Sequence, residues 1–238
     1  MAPPSLRERY RFYRSFDARA AFSWARSITS TPIFAINPGY STRIVHPRLR
    51  HLLDRNVRTI WLRNVRSPED LHRRVLKYLP EGVYYWRNVV SDPTLCERCP
   101  IKFIRRRNLC ANCPNFLGQE LMFDIDPERL PSSDFSHLKR TVADLYDALS
   151  ERFSDLRIVF SGRGFHIHVL DPDAFLLSPF ERMHLMEEFR EYGVDVPVTA
   201  GGVSLARLPY TLNGRSGFVV TPVNREELEE FDPYHSSS

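Results

Sequence analysis

Lysine is nearly missing from this chain. Of its 33 basic residues only Lys77, Lys102 and Lys139 are lysines, and every other one is arginine. Guanidinium groups grip phosphate bidentately, so the bias fits a nucleic-acid or nucleotide partner, although codon usage or adaptation to heat gives the same composition. Long apolar runs are missing too: none approaches the roughly 18 residues a membrane helix needs. The first residues, Met1 to Arg14, are rich in arginine and lack the apolar core of a signal peptide. Together these absences exclude a membrane-spanning class and point to the cytoplasm. Cysteine is scarce, with four in 238 residues, and in a reducing compartment such cysteines are metal ligands more often than disulfides. There are no internal repeats and no linker long enough to separate independent domains. The expectation is therefore one domain over residues 1–238, with an insertion at about 94–116 that carries the cysteines. The formal charge of +4 and a hydrophobic content of 42% are those of an ordinary globular protein.

What is present centres on Gln119-Glu120-Leu121-Met122-Phe123-Asp124-Ile125-Asp126. This is an apolar run of strand character ending in two aspartates one residue apart. Side chains alternate faces along a strand, so Asp124 and Asp126 share a face and Ile125 takes the other. Two neighbouring carboxylates repel, and a bridging divalent cation relieves the repulsion; hard oxygen ligands suit Mg²⁺ or Mn²⁺. A pair of solvated aspartates at a strand end is the plain alternative.

Upstream, Cys96-Glu97-Arg98-Cys99 and Cys110-Ala111-Asn112-Cys113 are two C-x-x-C pairs ten residues apart. Four thiolates so spaced complete a tetrahedral, structural Zn²⁺ shell that leaves no open position. An iron–sulfur cluster is the other metal reading, less suited to paired knuckles. The loop between the pairs carries Lys102, Arg105, Arg106 and Arg107, a basic run that a metal-pinned loop presents to phosphate or simply to water.

Downstream, apolar spacing predicts a helix from about Phe135 to Phe153, then strands Leu156 to Phe160 and Phe165 to Leu170 joined by Ser161-Gly162-Arg163-Gly164. Glycines let backbone approach a ligand, while Ser161 and Arg163 offer a hydroxyl and a guanidinium suited to phosphate. His166 and His168 lie on one face of the second strand, beside that turn. A helix over Phe180 to Tyr192, capped by Gly193, leads to Asp195. A turn-rich segment, Arg207 to Gly217, then ends in a strand from Phe218 to Val223, and Asn224 with Glu227 marks a last short helix. Near the start, Ser67-Pro68-Glu69-Asp70 opens a helix running to about Leu79, with strands at Ile33 to Tyr40, Thr59 to Val65 and Val83 to Trp86. The aromatics between Leu6 and Trp24 read as core in preference to a base-stacking surface.

Three of these segments occur in an order that resembles the three motifs of the archaeo-eukaryotic primase superfamily, most nearly the catalytic small subunit of archaeal DNA primase. They are Phe123-Asp124-Ile125-Asp126, Phe160 through His168, and Val194-Asp195 through Arg207-Leu208-Pro209 to Gly217. Similarity extends to Arg66 through Leu71, Val83-Tyr84-Tyr85 and Phe231-Asp232-Pro233, and so covers most of residues 60–233. The resemblance implies an α+β fold: a mixed-sheet primase catalytic core with an RRM-like element, flanking helices and a zinc knuckle. It implies that Asp124, Asp126 and Asp195 are catalytic acids binding Mg²⁺ or Mn²⁺, and that Ser161, Arg163, His166, Arg207 and Asn213 contact the nucleotide. Zn²⁺ would sit on Cys96, Cys99, Cys110 and Cys113. Implied partners are a single-stranded DNA template, nucleoside triphosphates and a primase large subunit.

The chain departs from that pattern in four places. Asn213 replaces a family histidine. The glycine turn is one residue short, which leaves His166 and His168 as rivals for one role; His166 is chosen. Only 28 residues separate His166 from Asp195, too few for an inserted helical subdomain. The cysteines precede the aspartate strand where relatives place them after it. The leading expectation is a DNA primase acting by two-metal nucleotidyl transfer. The alternatives are a plasmid- or repair-type primase-polymerase that extends existing ends, and a non-catalytic zinc-containing nucleic-acid-binding module.

Overall fold

Short side-chain oxygens mark where the helices begin. In the computed structural model, which describes residues 2–98, 113–131 and 134–234, α1 (Leu6–Ser15) opens on a capping box between Ser5 and Glu8. Helix α2 (Ala18–Ile28) opens on Asp17, which accepts from the Ala20 N–H at 2.9 Å. There follow β1 (Phe34–Asn37), a 3-10 turn at Pro47–Leu49, α3 (Arg50–Asp54) and β2 (Ile60–Leu62). Ser67 caps α4 (Pro68–Tyr78), which stops where Leu79 turns left-handed, φ 46°, ahead of Pro80. Next come β3 (Gly82–Trp86), β4 (Asn88–Val90), α5 (Pro93–Arg98), β5 (Phe116–Gln119) and β6 (Leu121–Ile125). The chain continues through α6 (Phe135–Ser150), β7 (Leu156–Phe160), β8 (Phe165–Val169), α7 (Pro172–Leu176), α8 (Pro179–Glu188), α9 (Val196–Thr199), β9 (Leu205–Arg207) and β10 (Thr221–Val223).

The chain divides into two compact, interleaved units. The first holds Met1–Trp86, Leu205–Thr221 and Asp232–Ser238, and the second Arg87–Ser204 and Pro222–Phe231. In the first unit a sheet of order β2–β1–β3–β9 is antiparallel throughout, with Phe34 opposite both Leu62 and Tyr85, and Tyr84 opposite Arg207. Tyr13, Phe16 and Phe22 are buried, with Phe22 and Phe34 ring centroids 5.7 Å apart, so these N-terminal aromatics are core as expected, whereas Phe12 is half-buried and Tyr10 is exposed.

In the second unit β4 pairs with β5, and a larger sheet runs β10–β7–β8–β6. Both β6 and β7 pair antiparallel with β8, which lies between them. Where the resemblance implies one mixed sheet, the strands fall into three sheets, with β6 and β7 running the same way on either side of β8. Alternation divides the larger sheet into two faces. Leu121, Phe123, Ile125, Phe165, Ile167, Val169, Ile158 and Phe160 are all buried on the apolar one. Phe135 of α6 and Phe189 close over it, at 5.9 Å from Phe165 and 5.8 Å from Phe123 respectively. Glu120, Asp124, His166 and His168 share the opposite face.

The strands expected over Ile33 to Tyr40, Thr59 to Val65 and Phe218 to Val223 shorten to β1, β2 and β10, and two expected helices change at their ends or in type. The expected helix over Phe180 to Tyr192 is α8 plus a 3-10 turn, Arg190–Tyr192, ended by Gly193 at φ 68°. The expected helix after Asn224 is a run of turns, because successive N–H groups reach back three residues rather than four, as Glu227 to Asn224 at 3.1 Å and Phe231 to Leu228 at 3.3 Å. No helix among the described residues is long and apolar enough to cross a membrane.

Candidate active site

Strand β6 ends in the two aspartates, and both of its edges are occupied by residues from far along the chain. On one edge β8 sets His166 opposite Asp124, with imidazole Nε2 3.5 Å from a carboxylate oxygen. On the other, Val194 bridges to Ile125, and the Asp195 N–H donates to the Asp124 carbonyl at 2.8 Å. Three acids separated by up to 71 residues in sequence thus stand at neighbouring positions of one ladder. The backbone brings them together without any attraction between the carboxylates.

The turn between β7 and β8 supplies the next contacts. Gly162 takes φ +95°, and Gly164 approaches so closely that an added Cβ would lie 2.2 Å from the Ile125 carbonyl oxygen. The Ser161 hydroxyl donates to the Gly164 carbonyl at 3.1 Å, which closes the turn and orients Arg163 outward. Arg163 donates to the Asp126 carboxylate and, at 2.8 Å, to Glu128. Arg129 donates to the Asp195 carboxylate at 2.6 Å, while that side chain also caps α9 through the Val198 N–H at 3.3 Å. Both arginines are about half exposed, at 44% and 45%, and pairs of this kind contribute only about 0–1 kcal/mol each. They neutralise the acids but hold them weakly.

Among the described residues no group of three or more His, Cys, Asp or Glu side chains is arranged to hold a metal ion. Asp126 and Asp195 turn toward Arg163 and Arg129 instead. The donor set itself fits a hard divalent cation: three carboxylates on adjacent backbone positions, each partly exposed, two of them held by one weak surface pair and one backbone N–H apiece.

Behind the aspartates lies a buried polar cluster that sequence reasoning missed. His168 Nδ1 is 2.8 Å from the Glu120 carboxylate, and both side chains are fully buried. Arg87, also fully buried, stands 3.8 Å from the same carboxylate and donates to the carbonyls of Glu120, Val198 and Val203. Arg182 donates to the carbonyls of Leu177, Gln119, Ala174 and Glu120. Burial, reinforced by the Arg87 charge and partly offset by Glu120, pulls its guanidinium down to about 10. The missed signal was parity: Glu120 lies four residues before Asp124 and therefore on the same strand face. His168 is committed to this cluster, whereas His166 stands beside Asp124.

Two expected nucleotide contacts belong to the first unit. Arg207, on β9, has its guanidinium carbon 5.3 Å from the centre of the Tyr84 ring. Asn213 is buried, and its amide oxygen accepts from the Arg215 N–H at 3.1 Å, bracing the turn it starts. Of the cysteines, Cys96 is buried, with the Asn115 amide donating to its sulfur at 3.1 Å, and Cys113 is exposed. Cys99 and Cys110 lie outside the described residues, as does the basic run from Lys102 to Arg107.

No protein-family model matches the chain. An Archaeoglobus fulgidus protein described as an uncharacterized DNA primase small subunit-like protein is 38% identical over 262 aligned positions, covering 100% of this chain and 90% of that one. The chain belongs to the family of DNA primase small-subunit-like proteins. Further members similar to this primase-like chain are the DNA primase small subunits of Pyrobaculum calidifontis and Methanococcoides burtonii. The first is 25% identical over 68% of this chain and 66% of its own length, the second 32% identical over 34% and 24%. Among solved structures, the polymerase domain of Mycobacterium tuberculosis Ligase D in complex with DNA aligns at a TM-score of 0.47 and 14% identity, over 90% of this chain and 81% of that one.

Proposed function

We propose that this primase-like chain is a DNA-dependent nucleotidyltransferase that makes short primers on single-stranded DNA. The observation that carries the reading is the Asp195 N–H to Asp124 carbonyl hydrogen bond, which sets the third acid beside the D-x-D pair. In the reaction a 3′-hydroxyl attacks the α-phosphorus of a nucleoside triphosphate and pyrophosphate leaves. Asp124, Asp126 and Asp195 would hold Mg²⁺ or Mn²⁺. Bound ions supply Lewis-acid stabilisation of the attacking hydroxyl and of the charge gathering on the pyrophosphate. Arg163 is a half-exposed donor at the mouth of the site. Released from Asp126 and Glu128, its fork is the right shape for two phosphate oxygens. His166 and the Ser161 turn add donors on the same side, and Arg207 and Asn213 are assigned to the nucleotide by their motif positions. The family's use of a large subunit extends to this chain as part of the same proposal. So do the single catalytic domain with its RRM-like element, and a zinc knuckle on Cys96, Cys99, Cys110 and Cys113. Metal analysis of purified protein should then find one zinc per chain.

The test is synthesis from labelled nucleotides with Mn²⁺ on unprimed single-stranded DNA. Product is expected from the natural protein and none from Asp124→Ala combined with Asp126→Ala. Normal synthesis by that double variant sinks the reading. Product only on primed template would favour the primase-polymerase alternative that extends existing ends. One observation favours a non-catalytic binding module: the chain has Asn213 where the motif has a histidine, and an amide can donate one hydrogen bond to a phosphate but carries no charge. Single-strand binding indifferent to Mn²⁺ and nucleotide, with no synthesis, is the result expected of such a module.

A further inference from the structure

Residues 43–66 hold seven arginines, Arg43, Arg48, Arg50, Arg55, Arg58, Arg63 and Arg66, against one acid, Asp54. The whole chain is formally +4, so this stretch alone carries +6 and everything else is net negative, 26 basic residues facing 28 acidic. All seven arginines are exposed, and none forms an ion pair within 4.0 Å among the described residues. Elsewhere Arg73, Arg152, Arg163 and Arg190 are exposed and meet a carboxylate, while Arg7, Arg11, Arg14, Arg19, Arg26, Arg140 and Arg215 are exposed and form no ion pair within 4.0 Å among the described residues; what sets this stretch apart is seven such arginines against a single acid. A patch left without counter-charges by its own protein is suited to an external polyanion.

Two of the seven converge on one aromatic ring. The Arg58 guanidinium lies 4.5 Å from the centre of Tyr40 and that of Arg43 5.3 Å, and Arg58 also donates to the Tyr40 hydroxyl at 3.3 Å. The loop presenting this group is held rigidly from beneath. Fully buried Arg9 donates to the Ile44 carbonyl at 3.0 Å and to the Thr42 hydroxyl at 3.1 Å. Buried Glu81 accepts from the Thr42 N–H and hydroxyl, each at 2.8 Å, and from Asn37 at 3.1 Å. Arg43 itself sits at φ 61°, a conformation disfavoured for a residue with a side chain and retained here by those bonds. A surface charge that only had to meet water would need no such support.

We propose that the Arg43–Tyr40–Arg58 cluster is a binding site for single-stranded DNA, the guanidiniums taking consecutive backbone phosphates and the tyrosine stacking on a base. This rests on the nucleotidyltransferase reading for its choice of polyanion, and adds to it a site for the template strand in the first unit.

The test is binding of a fluorescein-labelled single-stranded oligonucleotide, read by anisotropy from low to high NaCl, in EDTA and without nucleotide. Arg43→Asn, which tolerates the left-handed backbone, combined with Arg58→Gln should weaken binding about tenfold. It should also flatten the slope of log affinity against log salt by about 1.4, at roughly 0.7 per phosphate contact. Tyr40→Leu should weaken binding about tenfold with the slope unchanged. Because the measurement is made in EDTA and without nucleotide, its outcome is separate from the fate of the polymerising chemistry. Circular dichroism checks that each variant is folded. The proposal is overturned if the cluster variants bind with natural affinity and slope. It is equally overturned if Arg152→Gln combined with Arg190→Gln, in the second unit, causes the same loss, since net charge alone would then explain binding. Loss of binding to phosphatidylglycerol vesicles with DNA binding intact would move the patch to a membrane surface and overturn it too.

Discussion

Asp195 has two separable jobs. Its backbone N–H ties the segment to Asp124, and its side chain caps α9 and meets Arg129. Asparagine caps helices about as well as aspartate and leaves the backbone bond intact. Asp195→Asn should therefore change stability by no more than about 0.5 kcal/mol in denaturant titration while lowering primer synthesis at least about a hundredfold. An unfolded or fully active variant would contradict the division. At this scale the sequence was generous about the acids and silent about their partners. Asp124 and Asp126 could be picked out because they share one strand face, and Asp195 through the order of the motifs it belongs to. Arg129 and Arg87 could not, since an arginine that pairs with a distant residue carries no local pattern. Asn213 could be recognised as a departure, but its use in bracing a turn depends on the fold around Arg215.

The element on which the site depends is the β7–β8 hairpin. Its turn has room for no Cβ at Gly164, because the Ile125 carbonyl lies 2.2 Å from where one would be. That neighbour is backbone in a buried strand and cannot swing aside. Gly164→Ala should cost about 3 kcal/mol or more, at or beyond the usual penalty for an overfilled core. It should also abolish synthesis, since β8 can yield only by moving His166 away from Asp124. Equilibrium unfolding and the primer assay together check this. The hairpin was plain in the sequence, where two apolar runs flank a glycine-rich turn and alternate in period two. So were α4 and α6, each announced by a cap and an apolar stripe. Strand β10 falls within the strand expected over Phe218 to Val223, but β9 was not legible, because three residues cannot establish a period and its partner lies far away in the chain.

At the scale of the molecule, the separation into two interleaved units was not legible. Nothing in composition changes at Trp86 or Ser204, and the sequence suggested one continuous domain. What determines membership is pairing: β9 returns to β3, whereas the residues after Thr221 serve the second unit. There Phe231 packs 5.3 Å from Phe160 and 5.9 Å from Phe165, and Lys139 donates to the Phe231 carbonyl at 3.1 Å. Ending the chain after Thr221 should therefore destabilise the second unit by about 3 kcal/mol, the low end for losing a packed phenylalanine. Hydrogen exchange should show the loss in β7 and α6 and leave β1 and β3 protected.

The backbone crosses from one unit to the other four times, after Trp86, Ser204, Thr221 and Phe231. No single cut in the gene can therefore release either unit whole. Recombination could not have shuffled them as cassettes, and a laboratory wishing to graft the first onto another scaffold would have to reroute three separate pieces of polypeptide.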